Sequence, residues 1–253
     1  LHRLNWEMMH GPDGFLAATQ KHTIAITRLI RNTSSNVPAE INLPPKILFV
    51  VGSSLADPDI QPGYEIYSLL HNLKQKGRSV NSRLIEHATP SELEAVIEEF
   101  RPQIVHFICH GNIDQNGRGY LQLDLDEDHT QKECYAEQLL QYLSAQGKVS
   151  LPPIVILSAC LTGRLLGPSE TGPLAAQLVA GGVPIVIGMA GRVSDLACRL
   201  FTRRFGDALI QGEPLVLATA QGRRFAFAYG HPPHKSVDWA FPTLFTCAGV
   251  PVD

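Results

Sequence analysis

A histidine and a cysteine, His110 and Cys160, each follow a run of apolar residues and lie 50 positions apart in the chain. His110 follows the run 105–109, and Cys160 follows the run 154–159. A neighbouring histidine favours the thiolate form of a cysteine, which is the nucleophilic form, and can later protonate a departing amine. The pair therefore predicts cleavage of peptide bonds, with Cys160 as nucleophile and His110 as general acid and base.

The two apolar runs are the elements that must position this pair. Unbroken apolar runs are typical of buried parallel strands, and in open α/β sheets functional groups collect where such strands end. The competing interpretation is packing, because a single cysteine at the end of a core strand is usually part of the core. The paired placement of His-Gly and Ala-Cys favours catalysis over packing.

Acyl transfer also needs N–H donors that stabilise the oxyanion of the tetrahedral intermediate. Gly111 directly follows the histidine, and a residue without Cβ lets the backbone come close to a substrate carbonyl. The sequence therefore predicts an oxyanion hole formed by the backbone N–H groups of Gly111 and Cys160. An ordinary turn after a strand is the alternative role for Gly111.

Predicted strands and helices alternate along most of the chain, which indicates a mostly parallel sheet with helices on both faces. We expect an α/β protein with about six core strands, preceded by a β-rich segment and connector over residues 1–45 that pack on the core at 46–253. The predicted strands are 46–51, 80–85, 104–109, 154–158, 183–187 and about 242–246. The predicted helices are 64–76, 91–100, 135–146, 174–180, 195–210 and 214–229.

The stretch 120–126 alternates between apolar and polar residues, which predicts a surface strand or hairpin inserted after the histidine strand. Its acidic residues Asp124, Asp126 and Asp128 resemble the start of a calcium loop. His129 stands where such a loop needs glycine, so we expect a solvated strand face instead.

Composition excludes several classes of function. The chain has 253 residues, 44% of them hydrophobic and 18% charged, with a net charge of −3, so no basic surface for nucleic acid is expected. Its five cysteines show no CxxC pair, which favours free thiols and a cytoplasmic location. We expect no membrane span and no signal peptide. The first residue is not Met, so the chain is expected to be a fragment of a longer protein.

Other chemistry finds little support in the sequence. His106 and His110 are four apart on a predicted strand, about 13 Å at ~3.3 Å per residue, which is too far to share one metal ion. The chain contains neither a GxSxG nor a GxxxxGK[ST] motif, so we expect neither a serine hydrolase nor an NTPase. The sequence predicts no metal and no cofactor.

Five stretches together resemble the CHAT domain, a caspase-like group of clan CD cysteine peptidases often appended to tetratricopeptide repeats. The 50-residue spacing from histidine to cysteine is also that of caspases. The resemblance covers nearly the whole chain, although Met-Ala-Gly at 189–191 replaces a tryptophan of the family pattern. The stretches are Asn-Trp-Glu-Met-Met at 5–9, the His-Gly strand at 105–111, the segment 155–163 around Ser-Ala-Cys, the segment 188–195 and Asp-Trp-Ala-Phe-Pro at 238–242.

The resemblance implies a caspase-like three-layer α/β/α fold in which Cys160 is the nucleophile and His110 the general acid and base. It also implies a protein substrate, and an upstream tetratricopeptide-repeat region or a regulatory protein as a further partner. An acidic residue after the strand that follows the nucleophile can select Arg or Lys in related peptidases, and Asp195 is similarly placed. Its alternative role is the N-cap of the following helix, and Asp57 and Asp59 are weaker candidates.

Two other functions remain open at this point. The same fold can dock a partner with the Cys/His pair vestigial, as a catalytically silent interaction module. The same covalent intermediate can also serve acyl transfer or ligation instead of hydrolysis.

Overall fold

A computed structural model describes residues 4–19, 22–31, 41–124, 131–164 and 172–247. Three short 3₁₀ turns occupy Trp6–Met8, Leu16–Ala18 and Asp238–Ala240. The helices are α1 (Pro62–Gln75), α2 (Pro90–Phe100), α3 (Ala136–Leu143), α4 (Leu174–Ala180), α5 (Asp195–Ile210) and α6 (Leu215–Tyr229). The strands are β1 (His10–Gly11), β2 (Gly14–Phe15), β3 (Thr27–Ile30), β4 (Lys46–Val51), β5 (Asn81–Glu86), β6 (Ile104–Ile108), β7 (Gly111–Ile113), β8 (Gly119–Asp124), β9 (Gln131–Cys134), β10 (Ile154–Ser158), β11 (Ile185–Met189) and β12 (Pro242–Cys247).

The central sheet has seven strands in the order β3-β12-β11-β10-β6-β4-β5. Only the β11–β12 pair is antiparallel, so the prediction of a mostly parallel α/β sheet is confirmed. The strand beyond the six predicted is β3, which pairs with β12 and places Thr27 beside Leu244. The β-rich N-terminal segment thus contributes an edge strand to the main sheet, and the division at residue 45 stays a prediction.

Two apolar layers sandwich the sheet because successive side chains along a strand point to opposite faces. One layer packs α2, α3 and α4 on residues such as Val105 and Leu157. The other packs α1, α5 and α6 on residues such as Ile104 and Ile156. This is the three-layer α/β/α arrangement that the alternating pattern predicted. No helix in the described ranges combines the length and apolar content needed to cross a bilayer.

A small antiparallel sheet, β7-β8-β9, follows the histidine strand. It contains residues 120–124 of the predicted strand at 120–126, but the expected solvated face is wrong for Asp124, which is 3% exposed. The buried Asp124 side chain contacts His87, which is partly exposed, with Asp124 Oδ2 2.5 Å from His87 Nδ1. Asp126 and Asp128 lie outside the described residues.

The N-terminal segment is joined to the core by a buried cluster of charged side chains. Arg28 donates two hydrogen bonds to Glu7, from Nη1 to Oε1 at 2.6 Å and from Nη2 to Oε2 at 3.0 Å. Arg223 Nη2 lies 3.8 Å from the same Oε1, and Arg223 Nε donates to the carbonyl of Pro242. Glu7 therefore lies beside two buried cations, which links the Trp-Glu stretch to β3, α6 and β12.

Candidate active site

His110 and Cys160 lie at the same edge of the central sheet. Strands β6 and β10 are parallel neighbours, with Ile108 beside Ser158, and each candidate residue comes two positions after its paired strand end. Both residues line one pocket of about 170 Å³. A single water needs only ~10–15 Å³ of such space, so this pocket can receive a side chain.

The imidazole of His110 is in contact with a carboxylate. Its Nε2 lies 3.2 Å from Asp57 Oδ2, which also accepts a hydrogen bond from Ser53 Oγ at 2.8 Å. Burial raises the pKa of Asp57, but the backbone N–H of Asp59, the Ser53 hydroxyl and His110 together bring the pKa below its ordinary value. Asp57, considered in the sequence as a weak pocket residue, is therefore an ionised partner of the histidine.

Cys160 is the accessible thiol among the described cysteines, since Cys109, Cys134, Cys198 and Cys247 are all buried. Burial raises the pKa of Cys109 and of Cys198 far above the ordinary value. The residue after the nucleophile, Leu161, has a left-handed φ of 62°. Such strain in a residue other than glycine is concentrated at functional sites, and here it turns the chain sharply just beyond the thiol.

Gly111 packs directly against the backbone of Cys160. A Cβ at position 111 would lie 2.5 Å from the carbonyl oxygen of Cys160, so a larger residue would force the two loops apart. The N–H of Gln122 donates to the carbonyl of His110 at 2.8 Å, and Gly111 is opposite Leu121. Because hydrogen-bonded and non-hydrogen-bonded pairs alternate in antiparallel ladders, the Gly111 N–H points away from β8. This orientation suits the predicted oxyanion donor.

A buried polar network lines the inner end of the pocket that also contains Cys160. Ser158 Oγ donates to Glu65 Oε1 at 2.7 Å and lies 2.8 Å from His106 Nε2. The side chains of Glu65 and His106 are 2% and 1% exposed. Glu65 and Ser158 both line the pocket. Ser158, the last residue of β10, thus belongs to this network.

Sequence reasoning missed Glu65, although a signal was present. The buried face of α1 carries Glu65 with Ile66, Leu69 and Leu73, at the spacing that places residues on one side of a helix. An acidic residue on the apolar face of a predicted helix indicates a buried carboxylate, which needs a partner or a function.

Asp195 lies in the same pocket as Cys160, at the first position of α5. The expected alternative role as N-cap is wrong, because Ser194 is the cap and its Oγ accepts from the N–H of Ala197 at 3.2 Å. The Asp195 side chain is 13% exposed, and its Oδ2 lies 2.9 Å from Arg199 Nε. Burial raises the pKa of Asp195, Arg199 opposes that rise, and Glu65 adds to it.

Within the described part of the chain, Asp57, Asp59 and His110 form a group whose ligand atoms lie within 4.8 Å of one another and could hold a cation. The same atoms of Asp57 and His110 already contact each other. The prediction that the chain uses no metal stays a prediction.

The CHAT domain family matches residues 1–249. Among curated proteins, no significant relative of the chain is found. The structure of the Porphyromonas gingivalis RgpB pro- and mature domains is 15% identical, with a TM-score of 0.53 over 88% of this chain and 51% of that one. The Arg specific cysteine proteinase gingipain R is 13% identical, with a TM-score of 0.50 over 82% of this chain and 47% of that one.

Caspase-1 from Spodoptera frugiperda is 11% identical, with a TM-score of 0.47 over 86% of this chain and 99% of that one. The chain spans about half the length of the gingipain chains it matches. At these identities the likeness to the gingipains is a likeness of fold, and that fold is the caspase-like arrangement of a mostly parallel sheet between two helical layers.

Proposed function

Because the chain belongs to the CHAT domain family, we propose that it is a cysteine endopeptidase that cleaves a protein partner through His110 and Cys160. The observation that carries this proposal is that the accessible thiol and the histidine line one pocket at the ends of adjacent parallel strands. The four buried described cysteines and the Asp57 contact with the histidine add support.

In the proposed mechanism the Cys160 thiolate attacks the scissile carbonyl, and the N–H groups of Gly111 and Cys160 donate to the developing oxyanion. Asp57 holds His110 through Nε2, which leaves Nδ1 as the ring nitrogen that protonates the departing amine. The carbon–nitrogen bond then breaks to give an acyl-enzyme and a free amine. Water, deprotonated by His110, attacks the thioester, releases the acid product and restores the thiol.

We propose cleavage after a basic residue, with Asp195 as one acidic wall of the pocket that receives its side chain. The proposed partners are a protein substrate and an upstream repeat region or regulatory protein. The unpaired described cysteines suit a reducing compartment such as the cytoplasm.

The test compares covalent labelling of Cys160 by a small chloroacetamide in wild type, His110→Ala and the surface control His71→Ala, with the site read by peptide mass spectrometry. Selective labelling of Cys160 in wild type would not by itself show activation by His110, because Cys160 is also more exposed than the four buried cysteines. Activation by His110 predicts that His110→Ala slows labelling by roughly 10²-fold or more and that His71→Ala leaves the rate unchanged.

Cleavage is tested on a denatured protein mixture by mapping new amino termini. We expect new termini with wild type and none with Cys160→Ala or His110→Ala. Termini that persist at wild-type rate in purified Cys160→Ala would overturn the proposal. A labelling rate independent of His110, with no cleavage, would instead favour the catalytically silent interaction module.

A further inference from the structure

We propose that Glu65 carries the negative charge at the inner end of the pocket beside Cys160 and selects a substrate with lysine or arginine before the cleaved bond. This inference rests on the proposed function, since it takes the pocket to receive the side chain of that residue. It assigns the dominant charge to a residue on α1, a different element from α5, which begins at Asp195.

The hydrogen positions in the buried network follow from its geometry. Ser158 has one hydroxyl hydrogen, which it donates to Glu65 Oε1, so His106 Nε2 must be the donor to Ser158 Oγ. The other ring nitrogen, His106 Nδ1, is buried and has no hydrogen-bond partner among the described residues. A proton on Nδ1 would create a buried N–H without an acceptor, so we assign the neutral ring.

This assignment leaves Glu65 without a cation among its described hydrogen-bond partners. Ser158 donates to Glu65 Oε1, while His106 Nε2, which lies 3.1 Å from the same oxygen, donates its one hydrogen to Ser158 instead. Hydrogen bonds from neutral groups stabilise a buried carboxylate but do not neutralise it. A cationic substrate side chain would supply the missing counter-charge.

Asp195, which lines the pocket, and Asp57, which lies beside it, have partners of their own. Asp195 lies 2.9 Å from Arg199, and Asp57 contacts His110. Asp59 also lines the pocket, but it is exposed to solvent, which screens its charge. Glu65 is therefore the buried acid of this pocket that a cationic substrate side chain stabilises most.

One cationic residue, Arg192, also lines the pocket and would favour an acidic substrate side chain. Arg192 is an exposed residue of the loop before α5. Because solvent screens an exposed charge more than a buried one, we expect Glu65 to outweigh Arg192 at the inner end of the pocket. An acidic substrate side chain there would place two carboxylates together in a poorly solvated space.

The test uses peptide acyloxymethyl ketones that differ only in the residue placed in the pocket: lysine, arginine, norleucine or aspartate. Norleucine has the lysine chain without its charge, so the lysine-to-norleucine ratio of Cys160 labelling rates isolates the charge. We expect wild type to favour lysine over norleucine by roughly 30-fold or more. Glu65→Gln should reduce that ratio at least 10-fold, and circular dichroism checks that the variant is folded.

Asp195→Asn and Arg192→Ala are the matched comparisons. If Asp195 dominates, its variant and not Glu65→Gln lowers the ratio, and the inference is overturned. An aspartate or norleucine preference in wild type overturns it as well. If no probe labels Cys160, or if the labelling rate does not depend on His110, the result contradicts the proposed peptidase function and not the role of Glu65.

Glu65→Asp covers the case in which Glu65→Gln fails to fold. This variant keeps the carboxylate but shortens its side chain by one methylene. The inference therefore predicts that the labelling rate falls more for the lysine probe than for the probe with the longer arginine side chain. Equal retention of the lysine and arginine rates in Glu65→Asp would count against the assignment.

Discussion

Asp57 Oδ2 lies 3.2 Å from His110 Nε2, although the two residues are far apart in the sequence. Each belongs to a loop that follows one of two neighbouring parallel strands, β4 and β6. Sheet order alone makes them neighbours, and the contact gives His110 a carboxylate partner for one ring nitrogen.

We predict that Asp57→Asn lowers kcat by roughly 10- to 100-fold and changes KM little, because Asp57 acts through His110 and does not touch the substrate. The measurement is a kcat and KM determination on one peptide substrate. Ser53→Ala is the matched control, since it removes a different hydrogen bond to the same carboxylate. An increase in KM alone would assign Asp57 to substrate binding.

Gly111→Ala should reduce kcat by roughly 10²- to 10³-fold, the effect of losing one oxyanion donor. The physical reason is the 2.5 Å distance between a Cβ at this position and the carbonyl oxygen of Cys160, which forces the N–H away from its aligned position. Asn112→Ala, at the next and exposed position of β7, is the control. Near-normal kcat in Gly111→Ala, with fold verified by circular dichroism, would remove Gly111 from the oxyanion hole.

Glu7→Gln should lower the free energy of unfolding by about 3–5 kcal/mol, because it leaves Arg28 and Arg223 buried without their carboxylate. Urea unfolding at neutral pH measures the change. Glu99→Gln is the control, since its ion pair with Arg83 is exposed and should contribute little or nothing to stability. Equal effects of the two substitutions would contradict the anchoring role of Glu7.

Asp207 predicts a pH-dependent contribution to stability. Its side chain is 1% exposed and contacts Lys76 at 2.6 Å and Arg204 at 2.8 Å. Burial raises the pKa of Asp207, but hydrogen bonds from Lys76 and Gln211 and the charges of Lys76 and Arg204 bring it below its ordinary value. A carboxyl with a depressed folded-state pKa stabilises the protein above the unfolded-state pKa of ~4 and loses that contribution as pH falls below it.

The difference in unfolding free energy between wild type and Asp207→Asn should therefore be constant above about pH 5 and shrink toward pH 3. Urea unfolding of both proteins across that range measures it. A difference that grows as pH falls would show that the pKa of Asp207 is raised in the folded protein.

The α/β class of the fold follows from the amino-acid sequence alone. Unbroken apolar runs such as those of β4, β6 and β10 specify buried strands, because only a strand covered on both faces favours apolar residues throughout. The same runs placed His110 and Cys160 at strand ends, and the structure brings them into one pocket. The N-terminal segment was predicted to be β-rich, but its pairing with the main sheet through β3 was not, since the partner β12 is over 200 residues away.

The acids that lie near His110 and Cys160 are known only from the folded structure. Local pattern does not give the order of strands in a sheet, so it could not place Asp57 beside His110. Nor could it show that Arg199 contacts Asp195 while Glu65, on another helix, contacts Ser158 and His106. A charge at a site depends on every group around it, and those groups come from elements that only the folded chain brings together.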